Sequence, residues 1–144
     1  MKWARGLAPR LEQTLREKDQ LLRVRAGRGV PYFYEIHSYK SGGTEPADPR
    51  PYRDCYSTDL LVYDETADGT TWVPRLVIEC KKRGGDATTH GAIAYSVKAA
   101  THKNVHPYLR YGMLIGGYEH IRPYLVRHGV GFDFIAVWEE LEPV

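Results

Sequence analysis

Leu76-Val77-Ile78-Glu79-Cys80-Lys81-Lys82 sets an acid and an amine directly behind three apolar residues. The apolar lead-in reads as a buried strand, and residues two apart in a strand project from one face about 7 Å from each other. Glu79 and Lys81 therefore share a face on which ionised groups cost several kcal/mol unless something compensates them. A second apolar run, Ser57-Thr58-Asp59-Leu60-Leu61-Val62-Tyr63, carries its acid at the opposite end, and the segment between the two runs contains Asp68-Gly69. That dipeptide is a tight-turn signal, so the runs are expected to pair as an antiparallel hairpin. Placing Asp59 opposite Glu79 centres the hairpin on Gly69. A strict two-residue turn misses this register by one, so a bulge or a three-residue loop is required. The two carboxylates would then be lateral neighbours about 5 Å apart at the backbone, with Lys81 two residues further along. Acids that close repel without a cation, and Mg²⁺ takes oxygen ligands, commonly one or two carboxylates with water and substrate phosphate.

The remaining composition bounds the surroundings of this hairpin. With 144 residues, 42% hydrophobic and 26% charged, the chain reads as one domain with one core, residues 1–144. A net charge of +2 does not by itself announce nucleic-acid binding. Cys55 and Cys80 are too few for a disulfide scaffold, so they are expected as free thiols. No apolar run approaches the roughly 18 residues of a membrane span, and residues 1–10 lack the apolar core of a signal peptide. A cytoplasmic protein without a membrane partner is the expectation.

Along the chain, Trp3, Leu7, Leu11, Leu15 and Leu22 form one apolar stripe, which predicts a helix over 8–23 with Pro9 in its first turn. Glu12 lies at the edge of that stripe and Glu17 well away from it. The aromatic-rich segment 30–39 reads as a first strand in which Glu35 shares a face with Phe33 and His37. Residues 40–53 read as a loop bearing Lys40, Arg50 and Arg53. After the hairpin, Asp86, Thr88 or Thr89 caps a helix reaching about residue 104, with Ile93, Val97 and Ala100 as its expected buried stripe. Lys98, His102 and Lys103 give it a basic side. His102 and His106 have a metal-ligand spacing, but Pro107 follows and no third ligand stands out. A strand over 109–115, a short helix closed by Gly129 and a strand over 132–138 complete the order. The expected fold is α/β, a mixed five-stranded sheet flanked by helices in the order α-β-β-β-α-β-α-β.

Asp59, a spacer of nineteen residues and then Glu79-Cys80-Lys81 resembles the D...ExK signature of the PD-(D/E)xK nuclease superfamily, whose fold is restriction-endonuclease-like. The resemblance covers the order of elements as well as the motif. It implies a Mg²⁺-dependent endonuclease, with Mn²⁺ as a substitute, in which Asp59, Glu79 and the Cys80 carbonyl hold the ion and Lys81 assists the attacking water. It implies a helper glutamate on the first helix, for which Glu12 is the better placed, while Glu35 is a further acid to consider. Lys82, Arg83, Lys98, Lys103 and Arg53 are the cations expected to meet a nucleic-acid backbone, with DNA as the family's substrate. A glutamine-and-tyrosine motif found on the second helix in some branches is absent, since Tyr95 is present but no glutamine follows Gln20. A chain this short leaves little room for a specificity domain, which favours a structure-guided nuclease, or one that works as a homodimer or with a partner subunit, over a site-specific restriction enzyme acting alone.

The alternative from the same residues is a non-catalytic module, binding nucleic acid or another protein, in which Glu79 and Lys81 are a structural ion pair. The two readings predict opposite melts without metal. An uncompensated acid cluster is relieved by Glu79→Gln, whereas a buried ion pair loses about 3 to 5 kcal/mol.

Overall fold

A computed structural model describes residues 2–48, 52–83 and 87–139, with the side chains of Tyr52 and Arg53 outside the description. Helix α1 (Lys2–Arg16) is followed by strands β1 (Leu22–Arg25), β2 (Gly29–Glu35), β3 (Tyr52–Ser57), β4 (Leu60–Glu65) and β5 (Trp72–Lys82). Helix α2 (Thr89–Val105), strand β6 (Arg110–Gly116), helix α3 (Pro123–His128) and strand β7 (Phe134–Trp138) complete the order. One mixed sheet has the order β1-β4-β5-β6-β7, and β2 and β3 pair separately in a two-stranded sheet. The meander β1-β4-β5 is antiparallel, and β5, β6 and β7 run parallel, each crossover carrying a helix.

Five strands stand in the main sheet as the sequence predicts, but the first is a different segment. Leu22 to Arg25 takes the edge, and the aromatic segment expected there forms β2 in the small sheet. The stripe residue Leu22 thus belongs to a strand, and the helix occupies 2–16 instead of 8–23. Pro9 consequently falls inside α1, where it has no N–H for the helical ladder; burial of Ala4, Leu7 and Ala8, with Trp3, Leu11 and Leu15 packed alongside, holds the helix against this loss. Only the last two residues of the predicted loop, 52 and 53, are in a strand, the start of β3.

The sheet's two faces bury different chemistry. Leu60, Val62, Ile78 and Cys80 pack under α1 with Val24. Leu61, Tyr63, Val77 and Tyr111 lie on the other face, with Ala99 of α2 and Val30 of β2. The face that α2 buries is Ala92, Ser96, Ala99 and His102, and the predicted stripe is wrong throughout: Ile93 and Val97 are 48% and 61% exposed, and Ala100 is exposed too. The sheet beneath α2 already carries large rings at Tyr63 and Tyr111, so small residues are what allow the helix to approach. Thr88 caps α2 as expected, its hydroxyl accepting the Gly91 N–H at 3.1 Å.

The hairpin supplies the bulge that its carboxylates require. Near the turn Tyr63 pairs with Pro74 and Glu65 with Trp72, whereas beyond it Val62 pairs with Leu76 and Leu60 with Ile78. Arg75 is the extra residue, at the position next to a proline that cannot donate to the ladder. The turn itself is held by Asp68, whose Oδ1 accepts from the Thr66 and Thr70 hydroxyls and the Thr70 N–H, and Gly69 has a φ of 69°.

Candidate active site

Asp59 stands at the bend that enters β4, and its position is fixed from the preceding residue. Thr58 is buried, its N–H and hydroxyl both donate to the Arg28 carbonyl, and its own carbonyl accepts the Gly27 N–H. The register set by Arg75 carries Asp59 past the last pair, Leu60 with Ile78, to a place beside the β5 backbone. There Asp59 Oδ2 accepts the Cys80 N–H at 2.9 Å. A residue in an antiparallel pair presents its N–H and C=O to the same neighbour, so the Cys80 carbonyl faces the side from which Asp59 approaches.

Glu79 and Lys81 project from β5 toward α2, and both are almost fully buried, at 3% and 5% exposure. The Lys81 ammonium lies 3.3 Å from Glu79 Oε2 and 3.6 Å from Asp59 Oδ2, so the two carboxylates converge on one amine. Lys98 of α2 reaches Glu79 Oε1 at 2.6 Å, and the Tyr111 hydroxyl donates to the same oxygen at 2.8 Å. Aromatic rings line the amines: Lys81 Nζ is 4.1 Å from the centre of the Tyr95 ring, and Lys98 Nζ is 5.0 Å from that of Tyr56. Two acids and two ammonium groups thus balance in one cluster.

The cluster's protonation follows from these contacts. Burial pushes the Glu79 carboxyl up, but the Lys98 hydrogen bond and the charges of Lys98 and Lys81 outweigh it and hold Glu79 below its ordinary value. Burial also opposes the charge on Lys81, yet Tyr95 and the two carboxylates raise it to about 12. Lys81 is therefore a fixed cation at neutral pH and has no lone pair with which to take a proton. Burial on the α1 side, with the nearby negative charges of Asp59 and Glu79, pushes the Cys80 thiol up to about 12, so it is no nucleophile.

Asp59, Glu79 and Lys81 are brought together as the sequence predicts, and the other candidates divide. Lys98 joins them, but as the partner of Glu79 and not as an outward cation. Lys103 is turned away, bridging Asp133 at 2.8 Å and donating to the Gly131 carbonyl at 3.2 Å. Glu12 is on the α1 side: its Oε2 accepts the Val24 N–H at 2.7 Å and pairs with Arg25 at 2.6 Å, closing a position on the edge strand β1. Glu35 ends β2, with its Oε2 3.5 Å from His37 Nε2. Lys82 is exposed, and Arg83 is exposed beside Tyr118 in a cavity of about 410 Å³ that Arg122 and His120 also line. Arg50, the Arg53 side chain and the predicted cap Asp86 lie outside the described residues.

Sequence reasoning missed Tyr111, Tyr56 and the environment of His102. Tyr111 is opposite Val77 in the parallel pairing of β6 with β5, a register that no local signal in either strand announces. His102 is fully buried between the Tyr56 and Tyr111 rings, with centroids 5.4 and 5.8 Å away, and among the described residues neither ring nitrogen makes a well-formed hydrogen bond, the Pro31 carbonyl being the acceptor its ring approaches. Burial and the Lys98 charge pull its pKa down to about 4, against opposing contributions from the Pro31 carbonyl and Glu79. His106 Nε2 is likewise buried, with no hydrogen-bond partner among the described residues.

A divalent ion would find hard, ionised oxygens here. Asp59 and Glu79 are the two carboxylates, and both point at the same location beside Lys81. No cluster of three or more His, Cys, Asp or Glu side chains exists among the described residues, so water and phosphate oxygens would complete such an ion's shell. Among those residues no helix is long and apolar enough to cross a membrane. No protein-family model matches this chain, and a search of curated proteins returns none that matches.

Proposed function

We propose that this chain is a metal-dependent nuclease of the PD-(D/E)xK type, hydrolysing phosphodiester bonds in nucleic acid, with DNA as the expected substrate. The observation that carries the reading is the convergence of Asp59 and Glu79 on the Lys81 ammonium in a largely buried cluster at the end of β5. The order α1, β1, β4, β5, α2, β6 supports a restriction-endonuclease-like core, with the β2–β3 hairpin as an insertion.

In this reading Asp59, Glu79 and the Cys80 carbonyl hold Mg²⁺, or Mn²⁺ in its place. When bound, such an ion polarises a phosphoryl oxygen and lowers the pKa of coordinated water. Lys81, fixed as a cation, orients the phosphate and stabilises the negative charge that grows on it, which is the contribution a preorganised ammonium makes in a water-poor site. Lys82 and Arg83 are the exposed cations at the same strand end that can meet neighbouring phosphates. A homodimer or a partner subunit would supply a second site for the other strand.

A second reading has its own observation. With Lys98 on Glu79, the two acids and two amines are balanced without any metal, as a structural network in a non-catalytic binding module would be. Incubation of plasmid, single-stranded DNA and RNA with Mg²⁺, Mn²⁺ or EDTA separates the two. Cleavage that requires metal supports the nuclease, and intact substrate under every metal condition supports the binding module.

A further inference from the structure

We propose that Lys98 is a displaceable counter-cation, which keeps Glu79 closed to divalent ions until a nucleic-acid phosphate draws its ammonium away. This rests on the metal-binding reading of the site and adds a loading step to it. Every oxygen of Glu79 is engaged: Oε1 by Lys98 at 2.6 Å and Tyr111 at 2.8 Å, Oε2 by Lys81 at 3.3 Å. An ion shared by Glu79 and Asp59 would stand at Oε2, beside the Lys81 ammonium and within several ångströms of the Lys98 ammonium on Oε1, where like charges repel strongly in a partly buried site. One of the two amines must therefore give way.

The structure favours Lys98 as the one that moves. Lys81 is held by both carboxylates, stacks on Tyr95 and has a side chain only 7% exposed. Lys98 holds one carboxylate, is 16% exposed at its side chain, and reaches Glu79 from helix α2. The Tyr56 and Tyr95 rings, 5.0 and 5.6 Å from its amine, offer a resting place that does not involve Glu79. An ammonium on a flexible four-carbon stem suits transfer from a carboxylate to a phosphate, since its three donors serve either acceptor. Substrate then frees Glu79 as it brings its own negative charge, so that nucleic acid and metal bind cooperatively.

Mn²⁺ binding to the full chain, followed by electron paramagnetic resonance of the free ion, tests this without reference to turnover. Wild type, Lys98→Met and Lys98→Gln are titrated with and without a phosphorothioate DNA oligonucleotide, with Asp59→Asn as the blank for ions held by the DNA. Without DNA, Lys98→Met is expected to bind at least about tenfold more tightly than wild type. DNA should tighten wild type and leave Lys98→Met unchanged. Equal affinities in wild type and Lys98→Met, both lost with Asp59→Asn, would overturn the counter-cation while leaving the metal site standing. Titrations that match the Asp59→Asn blank in all forms would overturn the metal reading and the proposal with it. If Lys98→Met fails to fold, Lys98→Gln, which keeps a donor for Oε1, must bind more tightly than wild type, and equality overturns the proposal.

Discussion

Asp59 Oδ2 accepts the Cys80 N–H at 2.9 Å, and that bond exists because Arg75 adds one residue to β5 on the way from the turn. Removing the residue would shift everything from Leu76 to Lys82 by one position and exchange its buried faces. Deletion of Arg75 is therefore expected to abolish stable folding or cost at least about 3 kcal/mol in urea denaturation, comparable to losing a buried charge network. Arg75→Ala keeps the bulge and removes only a surface pair with Asp64, so a loss of about 1 kcal/mol or less is expected. Equal effects of the two changes would show that the side chain, not the register, matters.

Glu79→Gln is expected to destabilise the protein in the absence of metal by about 3 to 5 kcal/mol, measured by chemical denaturation. The sequence, read as two bare acids side by side, predicts relief and a higher melt instead. Lys98 and Tyr111 reverse the sign, because removing the charge strands two buried ammonium groups that now balance it. A higher midpoint for the variant would mean that Lys98 does not hold Glu79 in solution.

His102 makes stability depend on acid. Its pKa is about 4 in the folded chain and ordinarily about 6.5, so between those values the unfolded chain binds the extra proton. Its contribution is fully present above pH 6.5 and is lost as pH falls toward 4, of order 3 kcal/mol over the window. His102→Phe, which keeps a ring between Tyr56 and Tyr111 and has no nitrogen to protonate, should flatten stability over that range. Denaturation midpoints at pH 7, 5.5 and 4.5 check it, and parallel curves for the two proteins would contradict it.

The parts of this molecule legible in the sequence are those whose signal is local. The alternation around Leu76 to Lys82, the Asp68-Gly69 turn and the need for one extra residue between Asp59 and Glu79 are all readable there, and Arg75 meets that need. Strand β1 was hidden because two of its four residues are arginines, whose partners Glu65 and Glu12 are distant in sequence. The buried side of α2 was hidden for a related reason. Small and polar residues, Ala92, Ser96, Ala99 and His102, face the sheet because the rings of Tyr63 and Tyr111 fill the space, and helical periodicity of large apolar residues points elsewhere. Lys98 read as a basic surface residue, since its contact with Glu79 depends on how α2 docks over β5.

Nicking of supercoiled plasmid in Mg²⁺ by wild type, Asp59→Asn and Lys82→Ala tests the central claim most directly. Wild type should nick and EDTA should stop it. Asp59→Asn should lose at least about a hundredfold in rate, the scale of several kcal/mol of metal-borne stabilisation, while Lys82→Ala, which removes one exposed backbone contact and leaves the metal site intact, should lose no more than about tenfold. Undiminished nicking by Asp59→Asn would contradict the assignment of the site.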